Sequence, residues 1–184
     1  LPKDIYAFSG QGDSIAADDI LFMQSPYRTQ IEAHQLVKDL LGFEKVVSLK
    51  TKPARWFKFG PAKTNKLTGW PDSPTYDVDL AIAYIRPGSD SQKPLIAYCP
   101  AVFKKASQVV MSKLDDVDKI IVSQEETIGS FALNLVSTGE TVIMNSGSPE
   151  LKANLIGHGL KVIELDLPEL KKGGGSIRCC SLTL

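Results

Sequence analysis

ILFMQSPYRTQIEAHQLVKDLLGFEKVVSL, residues 20–49, sets one helix-like run between two strand-like runs. Ile20 to Gln24 is a short apolar strand. Ser25-Pro26 suits an N-cap and first helical position. Ala33, Leu36, Val37, Leu40 and Leu41 then fall at i, i+3, i+4, i+7 and i+8, the spacing of one helix face, and Gly42 suits the C-cap. Lys45 to Leu49 reads as the following strand.

The same order recurs twice downstream. Val78 to Ile85 and Pro94 to Cys99 read as two strands joined by the turn-rich Arg86 to Asp90. Pro100 opens a helix with Val102, Phe103, Ala106, Val110 and Leu114 on one face, and Lys119 to Ser123 closes the unit. In the third copy, Phe131 to Val136 and Thr141 to Asn145 pair across Ser137 to Glu140. Ser148-Pro149 starts a helix that Gly157 or Gly159 ends, and Leu160 to Leu165 follows. The predicted repeat is strand, strand, helix, strand, over residues 14–50, 78–123 and 131–166. Such repeats bury each helix against a neighbour. A further strand is predicted over residues 177–184, and residues 51–74 lack periodicity and read as a long loop.

Composition narrows the function classes. With 21 Lys+Arg against 21 Asp+Glu in 184 residues, no net field favours a nucleic acid. An apolar share of 43% permits a folded core. No apolar run approaches the roughly 18 residues of a membrane span. The cysteines are Cys99 and the adjacent pair Cys179 and Cys180. Neighbouring cysteines bridge only through a strained ring, so the thiols are expected reduced, in a soluble and cytoplasmic setting. His34 and His158 are the sole histidines and no CxxC pair occurs, so neither a metal site nor a cofactor is expected. His34 is expected on the polar side of its helix and His158 near a helix end.

Three segments could carry chemistry. Phe8-Ser9-Gly10-Gln11-Gly12-Asp13 is a tight turn before a strand, with no Lys-Ser/Thr pair to cradle a phosphate. Asp77 and Asp79, at i and i+2, would share one side of a strand and suit a cation or a planar guanidinium, or stand at a solvated strand end. Gly173 to Gly175, followed by Ser176-Ile177-Arg178-Cys179-Cys180, lets backbone approach a ligand beside a thiol and an arginine. An inert buried cysteine is the alternative. Trp56, Phe57, Phe59 and Trp70 offer aromatic surface in the long loop, either for a carried pigment or cofactor or for packing the loop onto the body.

The ordered set FSGQGD, SPYRTQIEAHQLVKDLLG, YDVDLAIAYI, PLIAYCPAVF, FALNLV and GGGSIRCCSLTL resembles the guanidino-modifying (pentein) superfamily, in its dimethylarginine dimethylaminohydrolase and amidinotransferase-like branches. The resemblance implies an α/β propeller of five ββαβ units, of which residues 1–184 supply about three. The remaining units, about a hundred residues, are then expected on a separate N-terminal chain that completes the propeller, because an open ring would expose an apolar flank.

The resemblance also assigns roles. Cys179 matches the nucleophile that attacks the guanidinium carbon, and Asp79 matches the aspartate of a His-x-Asp motif. Asp13 matches the aspartate closing the glycine turn, and Arg28 with Thr29 matches an Arg-Thr pair; these positions would bind substrate. Two positions depart: Ser9 stands where a glutamate is usual, and Asp77 stands at the place of the histidine. Since general acid–base catalysis contributes on the order of 10²–10⁴-fold, the expected protein is catalytically impaired and used for binding or a structural role. Its small ligand would be a guanidino compound or another small molecule. The alternative is an active hydrolase or amidinotransferase that uses Cys179 without that histidine.

Overall fold

The middle strand is buried at every position in the first unit and more buried than its neighbours in the third, while in the second it shares that place with the strand before it, which is why these apolar runs are legible. In the computed structural model, which describes residues 6–55, 60–64, 66, 69, 72–85 and 93–182, three small sheets of identical topology form. The first contains β1 (Ser14–Ala17), β2 (Ile20–Gln24) and β3 (Lys45–Leu49). The second contains β4 (Ile82–Ile85), β5 (Leu95–Tyr98) and β6 (Asp118–Ile121), and the third β7 (Val136–Ser137), β8 (Thr141–Asn145) and β9 (Lys161–Leu165). In each, the first two strands pair antiparallel and the last two parallel. A parallel pair needs a crossover, supplied by α1 (Ala33–Leu41), α2 (Lys105–Ser112) and α4 (Pro149–Gly157). Two short helices outside this plan, α3 (Gln124–Gly129) and α5 (Pro168–Lys172), were not expected.

The chain divides into two compact units. One comprises residues 1–78 and 102–113; the other comprises 79–101 and 114–184. In the first, Leu21 and Met23 of β2 pack with Ala33 and Val37 of α1, joined by Phe8, Phe43 and Val46. Helix α2 belongs to this unit. Lys104 N–H donates to the Lys50 carbonyl at 2.9 Å and Ser107 Oγ accepts from Lys50 N–H at 2.9 Å, so α2 is hooked onto the end of β3. That anchor sets its phase: Ser107 and Met111 are buried, whereas Ala106 and Val110 of the expected face are exposed.

Other expectations needed correction. Ser25-Pro26 does not start α1. Ser25 N–H donates to Leu49 O, Tyr27 Oη donates to Thr51 O and Gln30 N–H donates to Ala7 O, so residues 25–32 are held as a loop and the helix begins at Ala33. Its buried face contains Ala33, His34 and Val37, leaving Leu40 and Leu41 exposed. Phe131 to Leu135 forms turns rather than strand, and β7 is confined to Val136 and Ser137. Residues 177–182 form no strand; a 3₁₀ turn over Arg178–Cys180 takes its place, and 183–184 lie outside the described residues. The aromatic residues Trp56, Phe57, Phe59 and Trp70 also lie outside them. Among the described residues, no helix is long and apolar enough to cross a membrane.

His34, expected on a polar face, is buried, with Nδ1 sharing a 2.8 Å hydrogen bond with Ser48 Oγ. Burial is the largest influence on its imidazole and holds the pKa below the ordinary value, against an opposing hydrogen bond to the Gln24 backbone. The unfolded chain therefore binds the proton more readily, and stability rises with pH through this group. Its contribution is fully present above about pH 6.5 and is lost as pH falls toward the lower folded value. The melting temperature should drop between about pH 7.5 and pH 5.5, and drop less in His34→Gln. Equal drops in both proteins would refute the assignment. His158, as expected, is exposed at the end of α4, where Nδ1 contacts the Asn154 carbonyl at 2.9 Å.

Candidate functional site

In the first unit the chemistry gathers at residue 77. Gln24 Nε2 donates to the carbonyls of Thr75 and Tyr76 at 2.9 and 2.8 Å, fixing the backbone just ahead of Asp77. The Asp77 carboxylate is buried, and its Oδ2 accepts from Arg28 Nη1 at 2.9 Å. The Arg28 guanidinium also lies over the Tyr76 ring, 4.3 Å from its centroid, so it is held from two sides. Burial pushes the Asp77 carboxyl above the usual carboxylate range, and the Arg28 charge works against that shift. Gly12 is required by proximity: a Cβ there would sit 2.9 Å from Asp77 Oδ2 and 3.0 Å from Cγ.

The expected glycine turn is present as a 3₁₀ turn over Gly10–Asp13 that leads directly into β1. Asp13 is fully buried at its end. Ser9 is exposed, and its N–H donates to Thr29 Oγ1 at 3.1 Å, tying the turn to the Arg28-Thr29 loop. Asp77, Arg28, Gly12, Ser9 and Thr29 are thus connected through adjacent contacts in one unit.

Asp77 and Asp79 do not share one side of a strand. Val78–Leu80 forms a 3₁₀ turn, whose three-residue period does not align positions two apart. Asp79, in the second unit, is buried and meets the turn that carries Cys179. Cys179 Sγ donates to Asp79 Oδ2 at 3.5 Å, and Arg178 Nε lies 4.0 Å from that oxygen. The carboxylate at the thiol is therefore Asp79, and the arginine beside the cysteine faces that carboxylate.

Asn134, which the sequence offered only within FALNLV, organises this turn. It is fully buried. Its Oδ1 accepts from Ser176 N–H at 3.1 Å and from Cys179 N–H at 3.3 Å, and its Nδ2 donates to Cys179 Sγ at 3.1 Å. Ser176 Oγ in turn donates to Asn145 Oδ1 at 2.5 Å, while Asn145 Nδ2 donates to the Phe131 carbonyl. These bonds explain why residues 177–182 turn instead of extending: the backbone donors a sheet would use are taken by one side-chain amide.

The residue Cys179 is exposed overall, yet its thiol is packed closely. A Cβ on Gly175 would lie 3.0 Å from Cys179 Cβ and 3.1 Å from Sγ, so this glycine makes room for the cysteine itself. Burial pushes the thiol pKa up, and the Asp79 charge pushes it further; hydrogen bonds from the Ser176 backbone and Asn134 act the other way. Cys180 is exposed, with Sγ donating to the Ile177 carbonyl at 3.3 Å, and Cys99 is buried. No group of three or more His, Cys, Asp or Glu among the described residues is placed to hold a metal ion.

No model of a known protein family matches the chain. Individual relatives do. The dimethylarginine dimethylaminohydrolase of Mycobacterium tuberculosis is 30% identical over 175 residues, covering 95% of this chain and 49% of that protein. The bifunctional arginine dihydrolase/ornithine cyclodeaminase AgrE of Nostoc sp. is 27% identical over 184 residues, covering 99% of this chain and 22% of that protein. The solved N-terminal domain of the cyanobacterial arginine dihydrolase ArgZ superposes with a TM-score of 0.75 at 26% identity, covering 97% of this chain and 56% of the other. A dimethylarginine dimethylaminohydrolase adduct structure, at 18% identity and a TM-score of 0.60, shares the fold. The chain spans about half the length, or less, of the relatives it matches.

Proposed function

We propose that this chain, a pentein-fold homologue of dimethylarginine dimethylaminohydrolase and of the arginine dihydrolases, forms part of a guanidino-binding protein with impaired turnover. The observation that carries the reading is Asp77. The family resemblance assigns this position to the acid/base histidine, and here it holds a carboxylate closed onto Arg28 at 2.9 Å. An aspartate so engaged is a poor substitute for an imidazole that must both accept and return a proton near neutral pH. The same contact occupies the cation that the resemblance gives to substrate. At the other end of the chemistry, Cys179 donates to Asp79, which favours the thiol over the nucleophilic thiolate.

Asp13 in the first unit and Asp79 in the second, both buried, are each a carboxylate of the kind that can accept from a guanidinium. The retained Cys179, with an amide donor aimed at its sulfur, favours the second reading, a working hydrolase or amidinotransferase. We further propose that a polypeptide carrying the remaining ββαβ units completes the propeller, because each matched relative is about twice as long or longer. Incubation of the full-length protein with arginine, methylated arginines and agmatine should show binding by calorimetry without sustained citrulline or ornithine formation. Steady product formation that is abolished by Cys179→Ser would overturn the impaired-turnover reading and establish the second.

A further inference from the structure

We propose that Asn134 is the positioning residue of Cys179, holding the sulfur in place and stabilising it specifically as thiolate. The inference rests on the reading of Cys179 as the reactive thiol. Asn134 is fully buried, and every polar atom it has engages the same short segment or its own turn. Its carbonyl accepts from Arg178 N–H at 3.4 Å and its N–H donates to the Phe131 carbonyl at 3.0 Å. The side-chain oxygen collects the N–H groups of Ser176 and Cys179, so the turn cannot rotate without losing two hydrogen bonds, one of them buried. That half of the amide fixes geometry.

The other half acts on charge. Nδ2 is a donor 3.1 Å from Sγ, and a donor favours the anionic form of its acceptor. The groups facing the sulfur are Asp79 at 3.5 Å, whose charge opposes ionisation, and the Ser176 backbone and the Asn134 amide, which favour it; Arg178 faces the same Asp79 oxygen at 4.0 Å. Asn134 is therefore the uncharged counterweight to Asp79 at the thiol. A purely structural asparagine would need only its oxygen; the placement of nitrogen against sulfur is what separates the two roles.

The two halves can be tested separately. Asn134→Asp keeps the acceptor for Ser176 N–H and Cys179 N–H but replaces the donor with an oxygen. Asn134→Ala removes both. Full-length protein with Cys180→Ser leaves Cys179 as the exposed thiol among the described cysteines, and its alkylation by iodoacetamide is followed against pH. The expected result is an upward shift of the alkylation midpoint by about one pH unit in Asn134→Ala, a tenfold loss of thiolate at fixed pH below the midpoint, and a larger shift in Asn134→Asp. Should Asn134→Ala fail to fold by circular dichroism, Asn134→Leu, of similar size with neither donor nor charge, takes its place. A midpoint unchanged in the folded uncharged variant, with slower alkylation alone, would overturn the proposal and leave Asn134 a structural residue; Asn134→Asp adds a like charge and shifts the midpoint on that ground as well. This readout does not require turnover, so an absence or presence of hydrolase activity leaves it independent.

Discussion

Asp77→His in the full-length protein should raise the rate of guanidino-group hydrolysis by about 10²–10⁴-fold, the usual contribution of a positioned general acid–base. First, the substitution removes the carboxylate that accepts from Arg28, so the guanidinium stacked on Tyr76 is released to meet an anionic group of a ligand. Second, it supplies a group whose charge changes near pH 6.5, where proton transfer in both directions is accessible. Asp77→Asn separates the steps. It removes the negative charge on Arg28 without adding a base, so it should improve binding of a carboxylate-bearing guanidino compound while leaving product formation unchanged. The pH–rate profile of Asp77→His should gain a limb near the imidazole pKa that Asp77→Asn lacks. An Asp77→His protein no faster than Asp77→Asn would show that position 77 does not limit turnover and would remove the ground on which impaired turnover is proposed.

The reason this contact was invisible in the sequence is its separation. Arg28 and Asp77 are 49 residues apart, and Cys179 and Asp79 are 100 apart. What local pattern could reveal was the repeat itself. Ile20–Gln24 is buried at every position, and Leu95–Tyr98 nearly so, so their apolar runs announce central strands. Ser148-Pro149 and the turn at 137–140 were likewise legible, because capping and hairpin chemistry are local.

The failures share a physical cause. IRCCSLTL, residues 177–184, reads as a strand, but Asn134, more than forty residues upstream, takes the N–H groups of Ser176 and Cys179. The buried face of α2 departs from the expected phase because a hydrogen bond between Lys50 and Ser107, 57 residues apart, sets its rotation. His34, a polar residue type expected toward solvent, is buried because its partner Ser48 lies across the α1–β3 turn in sequence and beside it in space. In each case a single long-range polar contact outweighed a weak local preference.

Glu126→Ala should cost about 2–4 kcal/mol of unfolding free energy, the largest stability effect expected of a single exposed-looking acidic residue here. Ser123-Gln124-Glu125-Glu126 reads as a capping box for α3, and Ser123 Oγ does accept from Glu126 N–H at 3.2 Å. The glutamate, however, does not return the bond to its own helix. Its side chain is buried, with Oε1 accepting from Glu150 N–H at 2.8 Å and Oε2 from Leu151 N–H at 3.2 Å, so it caps the first turn of α4. A helix beginning Ser148-Pro149 leaves its early N–H groups without intrahelical partners, and a carboxylate there also meets the positive end of the helix dipole. Removing it strips the buried Leu151 donor and the part-buried Glu150 donor at once. Glu126→Gln retains one acceptor oxygen and should lose about half as much. Urea denaturation of both variants measures the difference. If Glu126→Ala falls within about 0.5 kcal/mol of the parent, the amides of α4 have found other partners and the crossover helix of the third sheet does not depend on this bridge from α3.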